Sequence, residues 1–247
     1  MDLSSFALLI AAGLIGGACN AVAGGGTFFT FPALLAVGVP PIVANATSAI
    51  SIWPGHATSL LGYRKELARH AGRLKSSAPA FVIGAVIGAA LLAVTGNGVF
   101  RQLIPWLLLV ATLLFAIGPT LRTWISTNRS GTLPKPVIFL IDLVVAIYGG
   151  YFGAGLGILL MAVLTLIGLS DVNEANAVKN ALATIVSTLA VAVFIATGII
   201  AWGPGAAVLA GAIVGGYLGA RFARWINPKI LRGIIIAVGL GLTWFYF

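Results

Sequence analysis

Residues 16–50 read GGACNAVAGGGTFFTFPALLAVGVPPIVANATSAI, and residues 149–182 read GGYFGAGLGILLMAVLTLIGLSDVNEANAVKNAL. Both stretches hold a glycine pair, a second glycine cluster, a short apolar run, a turn and an Ala-Asn-Ala element, in that order. Gly24 matches Gly153 and Asn45 matches Asn176, at offsets of 129 and 131. Further on, Gly84 and Gly88 match Gly211 and Gly215 at an offset of 127. The chain is therefore an internal duplication.

Each apolar run is too short to cross a bilayer. Thr27 to Val37 would be roughly 17 Å long as a helix, against a hydrocarbon core of about 30 Å. Short hydrophobic segments interrupted by glycine or proline, at matching places in two halves, are the sequence mark of a transporter's binding region.

Composition sets the class. The 247 residues are 60% hydrophobic and 8% charged, with 14 Lys and Arg against 5 Asp and Glu. So little charge over this length makes a polytopic membrane protein in contact with the lipid bilayer. The net charge of +9 does not imply a nucleic acid partner, because no basic face interleaved with aromatics exists. The one cysteine, Cys19, excludes an intramolecular disulfide and a cysteine metal cluster. The start of the chain lacks the basic region of a cleaved signal peptide, so the first helix is expected to remain.

Apolar segments fall at about 3–23, 27–38, 42–62, 77–95 and 101–118, then at 136–152, 156–168, 175–199, 205–220 and 231–247. Twelve of the 14 basic residues lie in three connections. The first holds Arg64, Lys65, Arg69, Arg73 and Lys75. The second holds Arg122, Arg129 and Lys135, and the third Arg221, Arg224, Lys229 and Arg232. The positive-inside rule puts all three in the cytoplasm. Connections 96–100 and 198–204 then lie outside, as do Met1 and Phe247.

Matching connections of the two halves thus face opposite sides, which predicts an inverted-topology repeat. Segment 136–168 must return to the side on which it began, and so must its partner in the first half. The expected fold is all-α, with two inverted repeats. Each repeat has a broken or re-entrant N-terminal hairpin followed by three spanning helices. The first repeat covers 1–121, a cytoplasmic connection 122–135, and the second repeat 136–247. Non-helical backbone at membrane depth needs protein or a wet cavity around it, so a cavity at the repeat interface follows.

Asn45 and Asn176 sit near the starts of long helices, where amides and free N–H groups form an anion cradle; helix capping uses the same geometry. Thr47 and Ser48 neighbour the first asparagine, Lys179 and Asn180 the second. Lys179, a turn inside an apolar helix, either complements an anion or snorkels or pairs with Glu174. Asn20, Gly24, Gly25, Gly26, Gly153 and Gly155 complete the candidate substrate-binding set. His56 follows Trp53-Pro54-Gly55, and Asp142 lies within an apolar segment. Both are candidates for proton handling, with a core role for His56 and capping or pairing for Asp142 equally open. Tyr148 and Tyr151 flank the second glycine pair and are placed to line the cavity. No zinc-protease, phosphate-loop or paired-carboxylate motif is present, so neither an enzyme nor a cofactor or metal is expected.

The string from Gly16-Gly17 through Asn20, Gly24-Gly25-Gly26, Pro32, Gly38, Pro41 and Ala44-Asn45-Ala46, with its weaker second copy, resembles the sulfite exporter TauE/SafE family. The resemblance covers essentially the whole chain. It implies a multi-pass permease of the cell inner membrane for small sulfur-containing anions. The expected function is export of sulfite or an organosulfonate through a central site at the repeat interface. The alternative is proton-coupled import of a small sulfur-containing or carboxylate anion. The expected partners are that small anion and the bilayer, and a homodimer is compatible with this reading.

Overall fold

The structure, a computed structural model, describes residues 2–22, 24–128, 133–169, 171–222 and 228–247. Met1, Arg129 and Arg224, which enter the topology argument above, lie outside the described residues. All regular structure among the described residues is helical. The first half holds α1 (Leu3–Val22), α2 (Thr27–Ala36), α3 (Pro41–Ser59), a 3-10 turn (Leu60–Tyr63), α4 (Arg64–Arg69), α5 (Ala71–Val94) and α6 (Asn97–Asn128). The second holds α7 (Lys135–Tyr151), α8 (Leu156–Leu166), α9 (Val172–Ala196), α10 (Trp202–Phe222) and α11 (Pro228–Tyr246). Among the described residues four helices, within α1, α5, α6 and α9, are long and apolar enough to cross a membrane by themselves.

Local chemistry sets the ends. Asp2 caps α1, and hydrogen bonds from Ser5 and Ser4 hold its carboxyl down at about 2. Asp171 caps α9, its Oδ1 accepting the backbone N–H groups of Asn173 and Glu174 at 2.9 Å each. Each half opens with a hairpin whose second arm is short: 10 residues in α2 and 11 in α8. The links are made where Gly24 (φ +81°) and Gly153 (φ +75°) take up the left-handed conformation that side chains resist.

Small residues then bring helices into backbone contact. A Cβ at Gly211 would meet the Ile10 carbonyl, at Gly215 the Leu14 carbonyl, and at Gly219 the backbone of Ala18. The order ascends on both helices, so α1 and α10 run parallel. In the second contact between the halves, Gly84 faces Leu143 and Ala146 while Gly88 faces Ile147 and Tyr151, so α5 and α7 also run parallel. The glycines matched by sequence do the same packing work in both halves.

α3 and α9 cross antiparallel in the middle. Thr47 Oγ1 accepts from the N–H of Ala201 at 2.9 Å, beyond the C-terminal end of α9. Trp53 Nε1 donates to Thr188 Oγ1 at 2.8 Å. Arg69, past the C-terminal end of α3, lies 3.1 Å from Glu174 in the first turn of α9.

Two boundaries differ from expectation. α6 does not stop near residue 118 but continues through Pro119 and past Leu121 to Asn128. Proline removes the N–H that would serve the carbonyl of Phe115, four residues back. Arg232 of α11 supplies the replacement, with Nε donating to that carbonyl at 2.8 Å and Nη2 donating to the carbonyl of Ala116. α5 likewise starts at Ala71 and not near residue 77, so Arg73 and Lys75 are helical. Arg73 is held there by Asp142 of α7, whose two oxygens accept from Nη2 at 3.0 and 2.9 Å.

Candidate functional site

A cavity of about 820 Å³ lies between α3 and α9, closed at its flanks by the tips of both hairpins and by α10. On α9 it is lined by Asn176, Asn180, Ala183, Ser187, Ala190 and Phe194, one face of the helix at the 3.6-residue period. Eighteen residues at 1.5 Å each make that wall about 27 Å long. On α3 the facing residues are Asn45, Ala49, Ile52 and His56, with Tyr63 following.

Lys179 gives the cavity its charge. It lies on the wall, and among the described residues it makes no ion pair or hydrogen bond. Glu174, the partner in the pairing alternative for Lys179, is engaged instead by Arg69 at 3.1 Å and by His70 Nε2 at 2.9 Å. None of the described lining residues is acidic. His56 lies within electrostatic reach of Lys179. Asn20 is close to Gly55: a Cβ built on that glycine would be 3.8 Å from Asn20 Nδ2. Asn20, His56, Asn176, Lys179 and Asn180 therefore concentrate polar groups toward the end of the cavity nearest α4. A cation with no acidic partner among the described residues, on a wall that also carries amides, is an arrangement that accepts an anion.

Of the residues singled out by sequence, Asn20, Gly24, Asn45, His56, Gly153, Asn176, Lys179 and Asn180 line this one cavity. The others are placed elsewhere. Ser48 shares a 2.6 Å hydrogen bond with Thr30 of α2, and Thr47 serves the N–H of Ala201. Gly25 packs against Ile235 and Phe115, Gly26 against Gly16, and Gly155 against Ala111. Tyr148 donates to the carbonyl of Ala154 and Tyr151 packs on Phe100, so neither tyrosine is on the wall. Asp142 is 1% exposed and saturated by Arg73 and by Ser77, whose Oγ donates at 2.8 Å. It is a buried clamp between α5 and α7, away from the cavity.

Asn45 and Asn176 do not face each other in a common cradle, because antiparallel α3 and α9 put them at opposite ends of the cavity. Neither caps its helix. Asp171 caps α9, and at the start of α3 the N–H of Ile42 is taken by Asn97 Oδ1 at 3.2 Å. Asn45 instead donates from Nδ2 to the carbonyl of Tyr151 at 2.9 Å, tying α3 to the tip of the second hairpin. Its Oδ1 is buried without a partner among the described residues. An aromatic cluster packs around that hairpin tip: Phe31 lies edge-on against Phe100 at 6.5 Å and Phe152 at 5.8 Å, and Phe100 against Tyr151 at 5.8 Å.

The candidate set read from the sequence does not include Gly55, Tyr63, Gly157, Met161, Ser187 and Tyr217, which also line the wall. The signal for Ser187 was present: stepping by three and four from Asn176 reaches it directly.

Comparison with known proteins finds similarity over nearly the whole length of the chain. A family model described as sulfite exporter TauE/SafE matches residues 9–245. A probable membrane transporter protein, ORF9, of Sinorhizobium is 29% identical, across 96% of this chain and 90% of that protein. A probable membrane transporter protein of Haemophilus influenzae is 28% identical, across 100% of this chain and 99% of its own. The probable membrane transporter protein YfcA of Escherichia coli K12 is 29% identical across 91% and 83%. No solved structure matches.

Proposed function

This chain belongs to the sulfite exporter TauE/SafE family, and from that premise we propose that it carries a small sulfur-containing oxyanion, sulfite or an organosulfonate, outward across the cell inner membrane. That it is a multi-pass membrane transporter is common ground with its relatives. The observation that carries the anion reading is Lys179, a cation on the cavity wall with no acidic residue among the described lining. Outward movement needs no coupling ion, since an inside-negative potential favours the exit of one negative charge by about 2.3 kcal/mol per 100 mV.

The inverted arrangement of the halves belongs to the same proposal, and helix direction supports it. Three reversals separate α1 from α5, and α7 from α10, so each pair points opposite ways. Halves facing the same side would set α1 antiparallel to α10, yet the two run parallel. Inverted halves make α1 parallel to α10 and α5 parallel to α7 together. Residues 1–121 and 136–247 then form the two repeats.

The test is anion binding to the purified protein, with flux in proteoliposomes, across sulfite, thiosulfate, sulfonates and carboxylates. Lys179→Met keeps the apolar stem and deletes the charge. Loss of a charge-assisted hydrogen bond costs about 1.5–3 kcal/mol, roughly ten- to over a hundredfold in affinity. Unchanged sulfite affinity in Lys179→Met would remove the cation from the site and the anion reading with it.

A further inference from the structure

The two hairpins are built alike but differ where the second arm begins. Thr27 and Leu156 are the first residues of α2 and α8, and both line the cavity. The next residue is Phe28 in the first half and Gly157 in the second, at the same offset of 129. Phe28 turns away from the cavity: it is 1% exposed and packs edge-on against Phe115 at 5.4 Å. Gly157 is itself part of the cavity wall.

The space beside Gly157 is specific. A Cβ there would have one neighbour within 4 Å, the Lys179 Cδ at 3.8 Å. The missing side chain thus leaves open ground next to the stem of the cation. Leu156, Ile158 and Met161, on the same helix as Gly157, also line the cavity and add apolar surface to it. A bare oxyanion has only a few heavy atoms, whereas about 820 Å³ lies within the range of cavities that enclose a whole organic ligand.

We propose that Gly157 determines specificity: its bare backbone makes room for the non-anionic part of an organic anion whose head is held by Lys179. The inference rests on the anion reading above and adds which residue decides between an inorganic oxyanion and an organic one. A side chain at this position fills the room for the carbon body and leaves the head site intact. The left-handed conformation is not involved, since Gly157 lies within α8, so substitution there is a matter of space alone.

The experiment measures calorimetric affinities of sulfite and propane-1-sulfonate for the purified full chain and for Gly157→Ala and Gly157→Leu. Gly157→Leu should weaken propane-1-sulfonate by about tenfold or more while sulfite stays within about threefold, the scale on which filled apolar pockets discriminate. Gly157→Ala should fall between, and it serves as the readout if the leucine variant is not monodisperse. Equal losses for both anions would mean that the new side chain displaces Lys179, and would overturn the proposal. So would a wild-type protein that binds sulfite but not propane-1-sulfonate, or variants in which neither affinity moves. A wild type that binds neither anion sinks the underlying anion reading, and this inference with it.

Discussion

Asp142 reads in the sequence as a proton carrier, a cap or one half of an ion pair; the structure pairs it with Arg73, and its replacement separates that role from proton handling. As a proton carrier it would be dispensable for folding and essential for transport. The structure makes it the centre of a buried clamp, 1% exposed, with Arg73 Nη2 at 3.0 and 2.9 Å and Ser77 Oγ at 2.8 Å. Removing one partner of such a pair leaves the other charge without compensation, which costs about 3–5 kcal/mol. Asp142→Ala should therefore lower the melting temperature in detergent sharply, as should Arg73→Met. The double variant Arg73→Met, Asp142→Leu removes both charges together. A buried pair replaced by apolar groups of similar size is often neutral or stabilising, so the double variant should recover most of the loss. It should also transport, because neither residue lines the cavity. The assay is thermal unfolding followed by size exclusion, with flux measured on whatever remains folded. A double variant that is stable yet transports nothing would refute the clamp and return Asp142 to a proton-handling role.

Three further outcomes are expected. Single cysteines placed in a Cys19-free background should be shielded from an impermeant external thiol reagent in connections 63–75, 119–136 and 221–232; external labelling within 221–232 would sink the inverted arrangement. Arg232→Leu should destabilise by about 1.5–3 kcal/mol, because the Phe115 carbonyl left by Pro119 loses its donor, and adding Pro119→Ala should restore a helical N–H and rescue it. If Pro119→Ala gives no rescue in thermal unfolding, Arg232 acts through some other contact. Asn45→Leu removes a buried acceptor whose missing partner costs about 1–3 kcal/mol, more than the single bond to Tyr151 returns. Its melting temperature should hold or rise while transport falls, and unaltered flux would reduce Asn45 to a packing element.

The duplication, the two hairpins and ten apolar segments were legible because glycine and proline punctuate the chain at matching positions. What the sequence hid is tertiary. Pro119 reads as the end of a helix because its remedy, Arg232, is more than a hundred residues away. Arg73 reads as a loop cation because Asp142 is invisible to local spacing. In the cavity, Asn176, Lys179 and Asn180 are spaced by three and four and share a face, so they arrive together. Thr47, two residues from Asn45, is turned about 200° around its helix and serves Ala201 instead. Ser48 has the right spacing and is nonetheless captured by Thr30 of α2, a contact that only the folded chain reveals.

The asymmetry between the halves bears on direction. Because α3 and α9 run antiparallel, a residue and its repeat counterpart lie at opposite ends of the cavity. The duplicated asparagines therefore give the two ends like polarity, with Asn45 beside the tip of the second hairpin and Asn176 toward α4. Charge is not duplicated. Lys179 corresponds to Ser48, and Asn180 to Ala49, so the cation and the densest amides stand at the α4 end alone. Under the proposed topology that end is cytoplasmic, beside the basic residues Arg64, Lys65 and Arg69. An anion then meets its strongest field on entering from inside, and passes toward a wall of Ala183, Ser187, Ala190 and Phe194 that carries no charge. The two-fold scaffold by itself favours neither side; under the export proposed above, a cation present in one copy only would receive the anion at the cytoplasmic end, while the membrane potential sets the direction of net movement.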